Sequence, residues 1–119
     1  MTRHEVFITG GTGYVGRRLI PLLVDHGHNV RALVRRGSEG KLPPGCTAVI
    51  GNAPDTESFI RQIKPADTFV QLIGVPHPSP AKAKQFQTVD LVSVRASVAA
   101  AAENGIQHFV YVSVALRHR

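Results

Sequence analysis

The stretch Val6-Phe7-Ile8-Thr9-Gly10-Gly11-Thr12-Gly13-Tyr14-Val15-Gly16 decides the fold. A short apolar run leads into it. A helical pattern leaves it, with Val15, Leu19, Leu22 and Leu23 spaced to share one face. Glycines at 10, 13 and 16 stand three apart, and each has a physical use. Gly10 permits a tight turn out of the strand, Gly13 puts no Cβ between the helix start and an approaching anion, and Gly16 lets the helix lie close on the sheet. The start of a helix offers unpaired N–H groups and the positive end of the helix dipole, which suits a phosphate. Glycine-rich turns are common, and the plain alternative is a strand–turn–helix joint with no ligand. The strand before, the helix after and the next strand about twenty residues on favour a dinucleotide.

The rest of the chain repeats the alternation of strand and helix. Strand one is expected at 5–9 and helix one at 14–26, with Pro21 inside it costing a hydrogen bond or a kink and Gly27 stopping it. Strand two runs from Asn29 to Val34, and residues 35–46, rich in Gly, Pro and charge, read as a loop. Strand three is expected at 47–50. A short helix follows at 55–63, with Asp55 or Thr56 near its N-cap, and strand four at 67–73. Val75-Pro76-His77-Pro78-Ser79-Pro80 excludes regular structure. A long helix at 82–103 puts Phe86, Val89, Val92, Ala96 and Ala99 on one face, Asn104-Gly105 ends it, and strand five occupies 108–113. The pattern predicts an α/β fold of the Rossmann type: a doubly wound parallel sheet of five strands in the order 3-2-1-4-5. Ligands in such sheets bind at the carboxyl ends of strands one and four, where the winding reverses.

A chain of 119 residues is expected to form one domain, 1–119, burying roughly 65% of its unfolded surface. No run approaches a membrane span, and because Met1-Thr2-Arg3-His4-Glu5 leads directly into the expected strand one, no signal peptide is expected. Cys46 is the single cysteine, so no internal disulfide forms and a cytoplasmic location is expected. The net charge is +6, spread along the chain apart from Arg17-Arg18, Arg35-Arg36 and the final Arg117-His118-Arg119. Seven aromatics, mostly in apolar runs, do not make the interleaved basic stripe of a nucleic-acid surface. An anionic cofactor and solvated surface account for the charge.

These residues resemble the N-terminal half of extended or atypical short-chain dehydrogenases, particularly the NmrA-like and epimerase-related NAD(P)-binding proteins. Thr9 to Gly16 is similar to their TGxxGxxG turn, and His26 to Arg35 to their entry into strand two. Val89-Asp90-Leu91 through Ala99-Ala100-Ala101 resembles their helix before strand five, and His108-Phe109-Val110-Tyr111-Val112-Ser113 that strand. The likeness covers nearly the whole chain to about residue 115. It implies a cofactor-binding half truncated before the substrate-binding half. The Tyr-x-x-x-Lys dyad of these enzymes is absent: the two tyrosines, Tyr14 and Tyr111, are followed four residues on by Arg18 and Ala115. Ala115 also stands where the family commonly has its catalytic serine or threonine. No catalytic residue is assigned.

The cofactor site expected from the resemblance comprises Gly10, Gly11, Thr12, Gly13, Tyr14, Val15, Gly16, Arg35, Arg36, Asn52, Ala53, Gly74 and Ser113. Arg35 and Arg36 directly follow strand two with no acid before Glu39, and guanidinium groups suit a 2′-phosphate, so NADP is favoured over NAD. Both arginines as solvated loop residues is the alternative. Asn52 stands where the family often reads the adenine with an aspartate. Gly74 matches a backbone contact to the adenosine ribose, or simply ends a strand. The resemblance implies a contact of Ser113 with the nicotinamide ribose, and no base is identifiable to make it a nucleophile. Asp90, where relatives carry an asparagine, reads as an exposed helix residue. His77 reads as surface loop, Cys46 as inert, and His26 and His28 as flanking a solvated turn without a third metal ligand.

Three functions remain open: the cofactor half of a reductase or epimerase, an NmrA-like redox-sensing module without catalysis, and an assembly subunit. Strand five, which relatives cover with further strands, is expected to expose an edge and to self-associate through it.

Overall fold

The computed structural model describes residues 3–72 and 95–112. Five parallel strands form one sheet in the order β3-β2-β1-β4-β5: β1 (Glu5–Thr9), β2 (Asn29–Val34), β3 (Thr47–Ile50), β4 (Thr68–Gln71) and β5 (His108–Tyr111). Val6 pairs with Val30 on one side and Thr68 on the other, which puts β1 at the centre. The anticipated topology is the observed one.

Strand alternation sends successive side chains to opposite faces, and both faces are covered, so the inner strands are apolar almost throughout. Phe7, Leu33, Val49 and Phe69 pack with Phe59, Ile63, Ala100 and Ala101 on one side. Val6, Ile8, Val30, Ala32, Val70 and Leu72 pack with Ile20 on the other. Phe7 stacks on Phe59 at 6.0 Å between ring centroids and tilts against Phe69 at 5.3 Å. Burial of each such side chain contributes about 1.5–3 kcal/mol.

Helix α1 (Tyr14–Asp25) covers the Ile8 face. Val15, Leu19 and Leu23 pack on the core as expected, but Leu22 is 57% exposed and Ile20 is the fully buried side chain of the helix. Leu22 is six residues from buried Gly16, which places it about 120° round the helix from the contact face. Pro21 lies within α1 without ending it, so its cost is the missing donor to the Arg17 carbonyl. Gly27, at φ +85°, closes the helix: its N–H reaches the Val24 carbonyl and that of His28 the Leu23 carbonyl.

The helix expected at 55–63 is instead two 3-10 turns, Thr56–Ser58 and Ile60–Gln62. Asp55 caps nothing with its side chain. Ser58 Oγ donates to the Asp55 carbonyl at 2.6 Å and accepts the Asn52 N–H at 2.8 Å. That local bonding competes with an α-helical ladder. A helical run at residues 95–103, here α2, buries Ala96, Ser97, Ala100 and Ala101; Ala99, expected inside, faces out. Asn104 and Gly105 (φ +67°) end it as anticipated, with the Ile106 N–H on the Ala101 carbonyl. The expected Pro-rich loop, the helix before residue 95, and residues 73 and 113 of the longer strands lie outside the described residues. Among the described residues no helix is long and apolar enough to cross a membrane.

At the amino edge of the sheet, Asp67 ties three strands together. Its carboxylate accepts from Thr68 Oγ1 (2.7 Å), His4 Nδ1 (3.0 Å) and the Glu5 N–H (3.1 Å), while its carbonyl accepts from the N–H groups of Gln107 and His108. The Thr68 hydroxyl foremost, then the Glu5 N–H and His4, hold its carboxyl below the usual range. A lowered folded pKa contributes stability above the unfolded value of about 3.9, and that contribution is lost as pH falls through the folded value. Asp67→Asn is therefore expected to be less stable than the parent at pH 7, with the gap shrinking at pH 3. Urea unfolding at both pH values checks this, and a gap independent of pH overturns it.

Candidate functional site

Because all strands run parallel, the residues that follow them gather along one edge. The turn Gly10–Gly13 follows β1, Arg35 and Arg36 follow β2, and Asn52 and Ala53 lie just beyond β3. The structure thus brings the first eleven of the expected site residues to the carboxyl edge of three adjacent strands. Gly74 and Ser113 lie outside the described residues, as do His77 and Asp90.

Gly10 leaves β1 at φ +79°, a conformation that side chains rarely adopt, and the Gly13 N–H closes the turn on the Gly10 carbonyl at 3.2 Å. Gly13 is the N-cap of α1, extended at φ −80°, ψ −174°, and no side chain caps the helix. Its first turn holds no acid. The N–H groups at the start of α1 and the positive end of its dipole therefore meet no carboxylate from the helix's own first turn. A Cβ on Gly13 would meet only the Gly10 carbonyl oxygen, at 3.4 Å.

Gly16 differs in detail from the expectation. Its absent Cβ makes room for the backbone of Gly11, whose oxygen would lie 2.5 Å away, so the close approach is to the turn itself rather than to the sheet. Gly11 is buried under Ile20, Ala32 and Leu42 and presents no side-chain surface to a ligand. Tyr14 is exposed, with the Arg18 guanidinium 3.7 Å above its ring and Arg18 Nη1 donating to its carbonyl at 3.1 Å. Sequence reasoning missed Arg18 here, although its i, i+4 spacing from Tyr14 was the signal.

Arg35 and Arg36 are exposed on a turn that Gly37 completes at φ +91°. The carboxylate of Glu39 accepts the Gly37 N–H at 2.6 Å and is thereby held on the turn's own backbone. Among the described residues the single ion pair is His4–Asp67, at the opposite edge of the sheet, so neither arginine is neutralised by a described acid. Asn52 is exposed, with its backbone N–H on Ser58 Oγ, whereas the Ala53 methyl packs against the core and leaves only backbone to a ligand.

The remaining histidines and the cysteine have local tasks. His26 Nδ1 donates to the Leu22 carbonyl at 2.7 Å, and His28 Nδ1 accepts the His4 N–H at 3.0 Å. No three His, Cys, Asp or Glu side chains among the described residues converge to hold a metal. Burial pushes the Cys46 thiol above its ordinary pKa, against a smaller opposing backbone hydrogen bond, which disfavours the reactive thiolate.

Residues 10–118 match the sequence profile of a family described as NAD(P)H-binding. The chain belongs to this NAD(P)H-binding family. It binds NAD(P) and is related to the short-chain dehydrogenase oxidoreductases and epimerases. A 3-beta-hydroxysteroid dehydrogenase of Mycolicibacterium neoaurum is 28% identical over 115 residues, covering 92% of this chain and 31% of the relative. The crystal structure of gox2253 matches with a TM-score of 0.82 at 21% identity, over 97% of this chain and 37% of that one. The Bordetella bronchiseptica enzyme WbmH, solved in complex with NAD+, matches with a TM-score of 0.73 at 25% identity, over 92% and 38%. The chain thus spans about a third of the length of the relatives it matches.

Proposed function

We propose that this chain is the cofactor-holding part of an NAD(P)-dependent oxidoreductase or epimerase, and that it prefers NADP to NAD. The reading rests on one juxtaposition: an uncapped helix start behind a glycine turn, beside Arg35 and Arg36 with no described acid set against them. The N–H groups at the start of α1 would take the pyrophosphate, with Gly13 leaving it room. Arg35 and Arg36 would take the 2′-phosphate, Asn52 and the Ala53 backbone the adenine side, and Gly74 and Ser113 the two riboses. The bound nicotinamide supplies hydride chemistry. Nothing in the chain forms a Tyr-x-x-x-Lys dyad, so these 119 residues alone are proposed to bind without turnover, and a redox-sensing module is the second reading.

Titration of the protein with NADPH and NADH, followed by nicotinamide fluorescence, tests this. NADPH is expected to bind about tenfold tighter or more, as one retained charge-assisted contact gives. Equal affinities overturn the preference, and no response to either overturns the function. Displacement of the bound reduced form by NADP+ and by NAD+ gives the oxidised affinities, and oxidised and reduced forms that bind equally remove the sensor reading.

Self-association through β5 belongs to the same proposal. Phe109 is 36% and Val110 45% exposed on the last strand of the described sheet, apolar surface that a second copy can cover. A mass that rises with concentration in sedimentation equilibrium is the expected result, and a clean monomer at high concentration refutes it.

A further inference from the structure

Thr9, Gln71 and Ser97 are the buried polar residues among those described, and all are fully buried. They form one cluster. Thr9 Oγ1 and Ser97 Oγ both donate to Gln71 Oε1, the latter at 2.8 Å. Thr9 is the last residue of β1, directly before Gly10; Gln71 is the last of β4; Ser97 is on α2. The cluster lies at the carboxyl ends of the adjacent strands β1 and β4, directly before the turn that leads into α1.

Its cost makes it informative. Gln71 Nε2 is buried and has no partner among the described residues. Turning the amide over exchanges which end is unpaired and does not pair both. Phe69, Val70 and Leu72 beside it are apolar, and an apolar residue at 71 would avoid an unpaired buried donor altogether. The amide oxygen is what the position gains. It fixes the Thr9 side chain, and with it the direction in which the backbone leaves β1. The neighbouring Leu72 N–H holds the Thr9 carbonyl at 2.9 Å, so side chain and main chain of Thr9 are both anchored to the end of β4. Beyond Thr9 the chain turns at once through Gly10, and the Gly13 N–H closes on the Gly10 carbonyl.

We infer that Gln71 is a positioning residue for the cofactor: through Thr9 it sets the angle of the Gly10–Gly13 turn, and so the placement of the helix N–H groups that meet the pyrophosphate. The inference rests on the cofactor reading above. Ser97 steadies Gln71 from α2. Misplacing a phosphate-binding backbone by a fraction of an ångström weakens several hydrogen bonds together.

The test is a double-mutant cycle on dinucleotide affinity with the whole chain. Gln71→Leu removes the acceptor, and the nearly isosteric Thr9→Val removes the donor. Each is expected to weaken NADPH about tenfold, and the double variant by the same tenfold rather than a hundredfold, because both break one linkage. Binding of 2′-AMP, which keeps the phosphate meant for Arg35 and Arg36 and lacks the pyrophosphate, is expected to stay within about twofold. NADPH affinity unchanged in Gln71→Leu overturns the inference. So do additive losses, or equal losses for NADPH and 2′-AMP, which indicate general loosening. Should Gln71→Leu fail to fold, Thr9→Val and Ser97→Ala carry the same comparison. A parent protein that binds no dinucleotide refutes the cofactor reading itself, an outcome separate from any of these.

Discussion

Gly16→Ala is expected to unfold in urea with a free energy about 3 kcal/mol below that of the parent. Helix propensity argues the other way, since alanine in a helix is favoured over glycine by about 1 kcal/mol. Contact geometry decides the sign. The new methyl would stand 2.5 Å from the Gly11 carbonyl oxygen and 2.6 Å from its carbonyl carbon and Cα, and backbone cannot rotate aside as a side chain can. Gly11 cannot retreat either, because its outer side is already filled by Ile20, Ala32 and Leu42. Relief requires lifting the start of α1 off the turn, which also separates Ile20 from the core. Two comparisons isolate the cause. Gly40→Ala meets nothing within 4 Å and is expected to change stability by less than about 1 kcal/mol. Gly13→Ala makes only an ordinary contact with Gly10, so its fold should hold while its affinity for dinucleotide falls. A Gly16→Ala midpoint equal to the parent's, with unchanged slope, refutes the argument.

The glycine turn shows why so much of the fold was legible beforehand. Its pattern is local: a glycine where φ must be positive, an apolar strand before it and a helix after it are fixed within a dozen residues. Parallel β-α alternation then leaves few topologies, and the observed strand order follows. What the sequence hid depends on contacts distant in the chain. Leu22 and Ile20 are both apolar, and only the angle at which α1 meets the sheet puts Ile20 inside and Leu22 out. The segment 55–63 has a cap-like start, yet Ser58 spends its hydroxyl on Asn52 and Asp55, and Thr56 Oγ1 reaches the Ala96 carbonyl 40 residues away. The Thr9–Gln71–Ser97 cluster was invisible for the same reason: two of its members end apolar strands, and polar strand ends usually mean only that the strand has reached solvent. The candidate site was the more legible part, since parallel strands bring residues just past their ends together whatever the side chains do.

Replacing Arg35 and Arg36 together by alanine is expected to weaken NADPH about a hundredfold and leave NADH within about twofold. A charge-assisted hydrogen bond contributes about 1.5–3 kcal/mol, so losing a single fully used one gives one to two decades of affinity. Exposure of both side chains pulls the figure down, because solvent and salt screen exposed pairs. The absence of a described acid near them pulls it up, since no existing pair must first be broken. Glu39 is the nearest acid in sequence after them, and its carboxylate is occupied by the Gly37 N–H. It is therefore poorly placed to take a ribose 2′-hydroxyl as the acid of an NAD-preferring site does. The single variants apportion the effect: a bidentate contact concentrates the loss in one arginine, whereas a diffuse field divides it evenly. Salt separates these again, for a diffuse field weakens steeply between 0.05 and 0.5 M and a seated bidentate pair less so. Equal weakening of NADPH and NADH would show that the arginines act on the pyrophosphate or on the turn, and the preference for NADP would fall with it.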